Sequence, residues 1–92
     1  MKFRKIETKV TTGTDGQDND VVLVTVFHDA RQSFSKAVDP AAKRAMRAYM
    51  AQHRIQHATL TGGNYGLAIV DEPDPMRCNS QVCFTITAKG SK

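Results

Sequence analysis

The stretch that most constrains the fold is residues 39–57, DPAAKRAMRAYMAQHRIQH. Asp39 offers a side-chain oxygen to free backbone N–H groups as an N-cap, and Pro40 suits the first helical position, where no donor is needed. Val38 ahead of them fits a hydrophobic staple. Ala, Met, Arg and Gln then favour helix to His53 or beyond, and the glycines of TGGNYG must end it. At about 100° per residue, Ala42, Ala45, Met46, Tyr49, Met50 and His53 gather on one side. Lys43, Arg44, Arg47 and Arg54 fall on another, within an arc of about 100°. A single helix with a small-apolar side needs a surface to lie on. The rest of the chain must supply it.

Residues 2–12, KFRKIETKVTT, place Arg4, Ile6, Thr8 and Val10 on one side and Lys5, Glu7 and Lys9 on the other, which reads as a strand. GTDGQDND is a turn-rich loop of Gly, Asp and Asn. VVLVTVF (21–27) is apolar on both faces and so predicts a central strand. HDARQSFSKAV either turns at residues 28–30 and runs as a strand through Phe34, or stays irregular. TGGNYG reads as a glycine turn entering a strand LAIV (67–70), which is ended by DEPDP, whose two prolines forbid a regular ladder. QVCFTITAK (81–89) is the last strand, with Val82, Phe84 and Ile86 on one face. With 92 residues there is room for one domain. The expected architecture is α+β: one main α-helix packed on an antiparallel sheet of four to five strands.

Charge is unevenly placed. The net charge is +4 and the pI about 9.3. Residues 31–54 hold six cations, Arg31, Lys36, Lys43, Arg44, Arg47 and Arg54, against Asp39 alone, and so carry +5. No carboxylate occurs between Asp39 and Asp71. The acids gather in DGQDND (Asp15, Asp18, Asp20) and DEPD (Asp71, Glu72, Asp74). MKFRKIETKV lacks the apolar core of a signal peptide, and no apolar run approaches the roughly 20 residues that span a bilayer. The chain reads as cytosolic.

Chemistry-bearing motifs are thin. His53 and His57 are spaced H-x3-H, and Cys78 and Cys83 C-x4-C. Both spacings suit zinc, but their order is reversed relative to the common finger, so no metal is expected. A Cys78–Cys83 disulfide around a turn is conceivable, yet a cytosolic protein keeps free thiols by default. DGQDND lacks the EF-hand order and its distal Glu, and TGGNYG lacks the Gly-Lys-Ser/Thr ending of a phosphate loop. Cys78 or Cys83 with a histidine is the sole nucleophilic pair to consider, and nothing local supports it. The expectation is a non-enzyme without cofactor. Neither a helix-turn-helix pair nor an RNP-like string is present, which argues against sequence-specific reading of bases.

The cationic helix side is locally unfavourable: Lys43 and Arg47 are a like-charged i, i+4 pair costing about 0.2–0.5 kcal/mol, and Lys43 and Arg44 lie near the helix's positive end. On the residues alone two readings stay open, a solvated face and an anion-binding face. Arg suits the second because its fork meets phosphate or carboxylate bidentately.

The opening MKFRKIETKVTTGTDGQDNDVVLVTVFHDARQSFSKAVDPAAKRAM, together with chain length, resembles the small anti-CRISPR proteins of bacteriophages, and in particular an inhibitor of the type I-F surveillance (Csy) complex. These inhibitors share no common motif, so the resemblance transfers no residue by pattern. It implies a binder without catalysis, acting in the host bacterial cytoplasm, that docks on a guide-RNA-loaded complex of Cas proteins and stops target DNA from binding or pairing. Some such inhibitors imitate DNA with an acidic surface, whereas the longest coherent surface here is cationic. Steric occupation of the DNA path is the matching expectation. Arg31, Lys36, Lys43, Arg44, Arg47 and Arg54 would meet guide-RNA phosphates or acidic Cas side chains. Asp15, Asp18, Asp20, Asp71, Glu72 and Asp74 would form a second contact with DNA-holding lysines and arginines. The alternative is a small basic module that binds RNA or DNA phosphates directly.

Overall fold

Alternating valines build the core. Val22, Val24 and Val26 are sealed from solvent, while Val21, Leu23 and Phe27 between them stay half-buried. In the computed structural model, which describes residues 5–68 and 76–89, this segment is strand β2 (Asp20–Asp29). It follows strand β1 (Glu7–Thr14) and precedes a single π-helical turn (Phe34–Val38), helix α1 (Asp39–His53), strand β3 (Ile55–Ala68) and strand β4 (Arg77–Lys89). The strands form one antiparallel sheet in the order β1-β2-β4-β3. The α+β expectation is met with four strands, and the segment that is apolar on both faces is central.

Register explains the layer. Val10 pairs with Val24, and Val24 with Val82, so three valines cross the sheet on one face. Helix α1 covers this face with Ala41, Ala42 and Met46, against Val22, Val24, Val26, Val82 and Phe84. Each fully buried valine contributes about 1.5–3 kcal/mol relative to exposure. Val82, Phe84 and Ile86 share the helix side as the alternation requires, and Ile6 and Val10 reach the same core. No described helix is long and apolar enough to cross a membrane.

Several local expectations are corrected. Asp39 is not the helix cap. The Ser33 hydroxyl oxygen accepts from the Lys36 N–H at 3.3 Å and starts the π-helical turn, which runs unbroken into α1. Asp39 is therefore already helical, with its N–H bonded to the Phe34 carbonyl. Val38 lies fully buried in the core, and Pro40 sits in the first turn as expected. No third strand runs through Phe34: β2 continues to Asp29, residues 30–33 are turn and irregular chain as the second alternative expected, and Phe34–Val38 then wind into the π-helical turn. The helix ends at His53, where Arg54 takes left-handed φ 56° and its N–H bonds the Met50 carbonyl.

The largest correction is TGGNYG, which is not a turn. It lies inside β3, which begins at Ile55 and absorbs four register irregularities against β4. Glycine serves close backbone approach there: a Cβ on Gly63 would stand 2.8 Å from the Gln81 carbonyl oxygen. Of the expected strand LAIV, Leu67 and Ala68 close β3, and Ile69 and Val70 lie outside the described residues. Strand β4 starts earlier than expected, at Arg77.

Candidate docking surface

Helix α1 carries its cations on the side turned from the sheet, and the structure divides them. Lys43 and Arg47 form one rim of a groove of about 220 Å³ between α1 and β3, floored by Met46, Met50, Ala58 and Phe84. Arg44 stands on the opposite flank, lining a space of about 300 Å³ with Ile6, Thr8, Ala41 and Ala45 beside β1. Arg54 follows on the left-handed residue that ends the helix. Lys36 is exposed on the π-helical turn. None of these five has an ion-pair partner among the described residues.

Arg31 differs. Its Nε donates to Asp29 Oδ1 and its Nη2 to Asp29 Oδ2, both at 2.8 Å, a bidentate fork on a carboxylate that is largely buried. Two parallel charge-assisted bonds fix the guanidinium in place and neutralise much of its field. Arg31 therefore braces the turn after β2 and adds less to the cationic surface than its position in the sequence indicates.

The acidic loop is ordered by one of its own members. Asp15 Oδ1 accepts the Gln17 N–H at 2.8 Å and the Asn19 N–H at 2.9 Å. These bonds, Asn19 first, hold the Asp15 carboxyl below its ordinary range. Asp18 takes φ 61° in the same tip. Asp20 opens β2 and lines, with Tyr49, His53, Ile55 and Ile86, a groove of about 510 Å³ at the C-terminal end of α1. The hairpin acids thus lie at one end of the helix. Asp71, Glu72 and Asp74 fall outside the described residues.

Two features escape the sequence. Phe34 and Tyr65 are 40% and 41% exposed and pack against each other with ring centroids 5.3 Å apart and planes tilted by 56°. They meet because β3 returns past the π-helical turn, a long-range pairing with no local signature. Burial first, with the nearby Asp39 carboxylate next, raises the Tyr65 pKa above 10.0.

The second is a buried polar cluster under Phe34. His28 Nδ1 lies 2.9 Å from the Asp29 carbonyl, a pure acceptor, so Nδ1 carries the proton and donates. Nε2 then accepts from the Ser80 hydroxyl at 2.7 Å, and Ser80 Oγ in turn accepts the Gly66 N–H at 3.0 Å. Cys78 Sγ is 3.7 Å from both ring nitrogens. Burial raises the thiol above its ordinary 9.0, and His28 and Ser80 are closed to solvent. The cluster joins β2, β4 and β3 by satisfied bonds.

Cys78 and Cys83 are both free and stand on opposite faces of β4, so the conceivable disulfide is excluded by geometry. Among the described residues no three His, Cys, Asp or Glu side chains converge on a metal-sized site. The fold and surface define an α+β domain with a cationic helix ridge that has no ion-pair partner among the described residues. Compared with known proteins, the chain matches no family model, no curated protein and no solved structure.

Proposed function

We propose that this chain is an anti-CRISPR inhibitor without catalytic activity, acting in the host bacterial cytoplasm. It docks on the type I-F crRNA-guided surveillance complex and blocks target DNA binding or pairing by occupying the DNA path. The observation that carries the docking surface is the set Lys36, Lys43, Arg44, Arg47 and Arg54, all exposed and without ion-pair partners among the described residues. Unpaired cations on a helix lose a few tenths of a kcal/mol to mutual repulsion, which an anionic partner recovers. Such a partner is guide-RNA phosphate or a carboxylate-rich Cas surface. The choice of complex rests on the resemblance of the chain. Asp15, Asp18 and Asp20 at the far end of the helix supply the second contact, toward cationic Cas side chains.

A second reading is favoured by the exposed Phe34–Tyr65 ring pair near Lys36. Aromatic faces beside cations are how proteins hold single-stranded nucleic acid without reading sequence. A plain nucleic-acid module would bind free guide RNA with affinity falling steeply as salt rises. The inhibitor should bind the assembled complex well and free RNA poorly. Gel shifts with each target, using wild type and the Lys43→Glu/Arg44→Glu/Arg47→Glu variant, separate the two. If the triple variant inhibits the complex as well as wild type does, the helix ridge is not the docking surface.

A further inference from the structure

The two edges of the sheet are unlike. Strand β3 meets its neighbour with four register irregularities, the bulges that commonly protect an edge from further pairing. Strand β1 has none: eight consecutive residues pair in unbroken register with β2, and no described strand lies on its outer side. It contains no proline, and every side chain but Val10 is exposed. Its outer backbone N–H and C=O groups form a regular template.

We propose that β1 is a self-pairing edge that joins a second copy of this chain across a two-fold axis, making one continuous eight-stranded sheet. An axis perpendicular to the sheet keeps both helices on one side, so helix-face residues pair only with helix-face residues. Charge then selects the register. Centring on Glu7 opposes Glu7 to Glu7 and Lys5 to Lys9; centring on Lys9 opposes the two Lys9 ammonium groups. Centring on Val10 sets Glu7 against Gly13 and Lys9 against Thr11, with no gain. Centring on Thr8 pairs Glu7 with Lys9 twice and Ile6 with Val10 twice. Opposite charges and apolar groups placed directly across a strand pair are the stabilising arrangement. Ile6 and Val10 already pack on the core, so their pairing prolongs the apolar layer across the axis. Arg44 of each copy lies toward that axis beside Ile6 and Thr8, and this like-charge opposition keeps the association weak and concentration-dependent.

Sedimentation equilibrium on the full chain tests the register. Wild type should dimerise reversibly within the micromolar to millimolar range. Lys9→Glu places four carboxylates at the axis and should weaken self-association by at least about tenfold. Glu7→Lys places four ammonium groups there and should do the same. Mixed in equal amounts, the two variants restore every opposite-charge pair and should form a heterodimer. Thermal melts of each variant by circular dichroism confirm folding, since Glu7 also lies 3.6 Å from Arg77. A wild type that stays monomeric at millimolar concentration overturns the proposal, as does a mixture that associates no better than its components. The docking surface is untouched by these changes, so this result stands independently of the inhibitor reading.

Discussion

His28 Nε2 lies 2.7 Å from Ser80 Oγ, and both side chains are fully withdrawn from solvent. The contact links the two central strands on the helix side of the sheet. It forces the hydroxyl to donate to the ring, because the other ring nitrogen is committed to the Asp29 carbonyl. Ser80 then has a lone pair for the Gly66 N–H of the edge strand β3.

Ser80→Ala should therefore destabilise the protein by about 1–3 kcal/mol, the cost of leaving buried polar groups without partners. Two groups lose their partner at once, Nε2 and the Gly66 N–H. Urea unfolding should show a lower midpoint with an unchanged slope. A midpoint equal to wild type means water or a rearranged ring replaces the hydroxyl.

Alkali should loosen the fold through Tyr65 and Cys78. Both have folded-state pKa values raised chiefly by burial, with the nearby charges of Asp39 and Asp29 adding to it. A raised value means the folded state holds its proton more tightly than the unfolded chain does. The stabilisation is complete below the unfolded value and is lost as pH rises through the folded one. Stability should fall above the ordinary thiol value of 9.0, and further above the ordinary phenol value of 10.0. Tyr65→Phe should remove the upper part of this loss, and Cys78→Ala the lower part. Unfolding free energies measured through the alkaline range check each limb.

The adjacent glycines of β3 should respond differently. A methyl on Gly63 meets the Gln81 carbonyl at 2.8 Å, whereas one on Gly62 meets nothing within 4 Å. Gly63→Ala should cost at least about 1 kcal/mol, in the range of other overpacking substitutions. Gly62→Ala should be neutral or stabilising by a few tenths, through the unfolded chain. Equal melting temperatures for the two variants contradict the close approach of β3 to β4.

The glycines also mark where sequence reasoning fails. Helix α1 was legible because its period, Pro40 and small-apolar side are local signals. The central strand and the last strand were legible through apolar pattern. TGGNYG misled because glycine is read as a turn wherever no strand partner is visible; its partner is the next strand, β4, and the register irregularities between them leave no regular alternation to read. Asp39 misled for a related reason. Its type suits a cap, but Ser33 and the π-helical turn start the helical path first, leaving Asp39 inside it. The cations of the helix could be placed from period alone. That Arg31 is held by Asp29 could not, because a bidentate fork depends on the geometry of the turn after β2.

Arg54 should separate stability from docking. It holds φ 56° and ψ 42°, a left-handed conformation that costs a residue with a Cβ about 1 kcal/mol and costs glycine far less. Glycine is the common residue where a helix ends this way, and its N–H would keep the bond to the Met50 carbonyl. Arg54→Gly should therefore raise the unfolding midpoint while removing one unpaired cation from the ridge. On the proposed function, complex binding weakens as stability rises, so a loss of inhibition cannot be blamed on misfolding. Calorimetric melting and competition for the assembled complex, run on one preparation, give both quantities. A stabilised variant that inhibits fully takes Arg54 out of the docking surface and leaves Lys43, Arg44 and Arg47 to carry it.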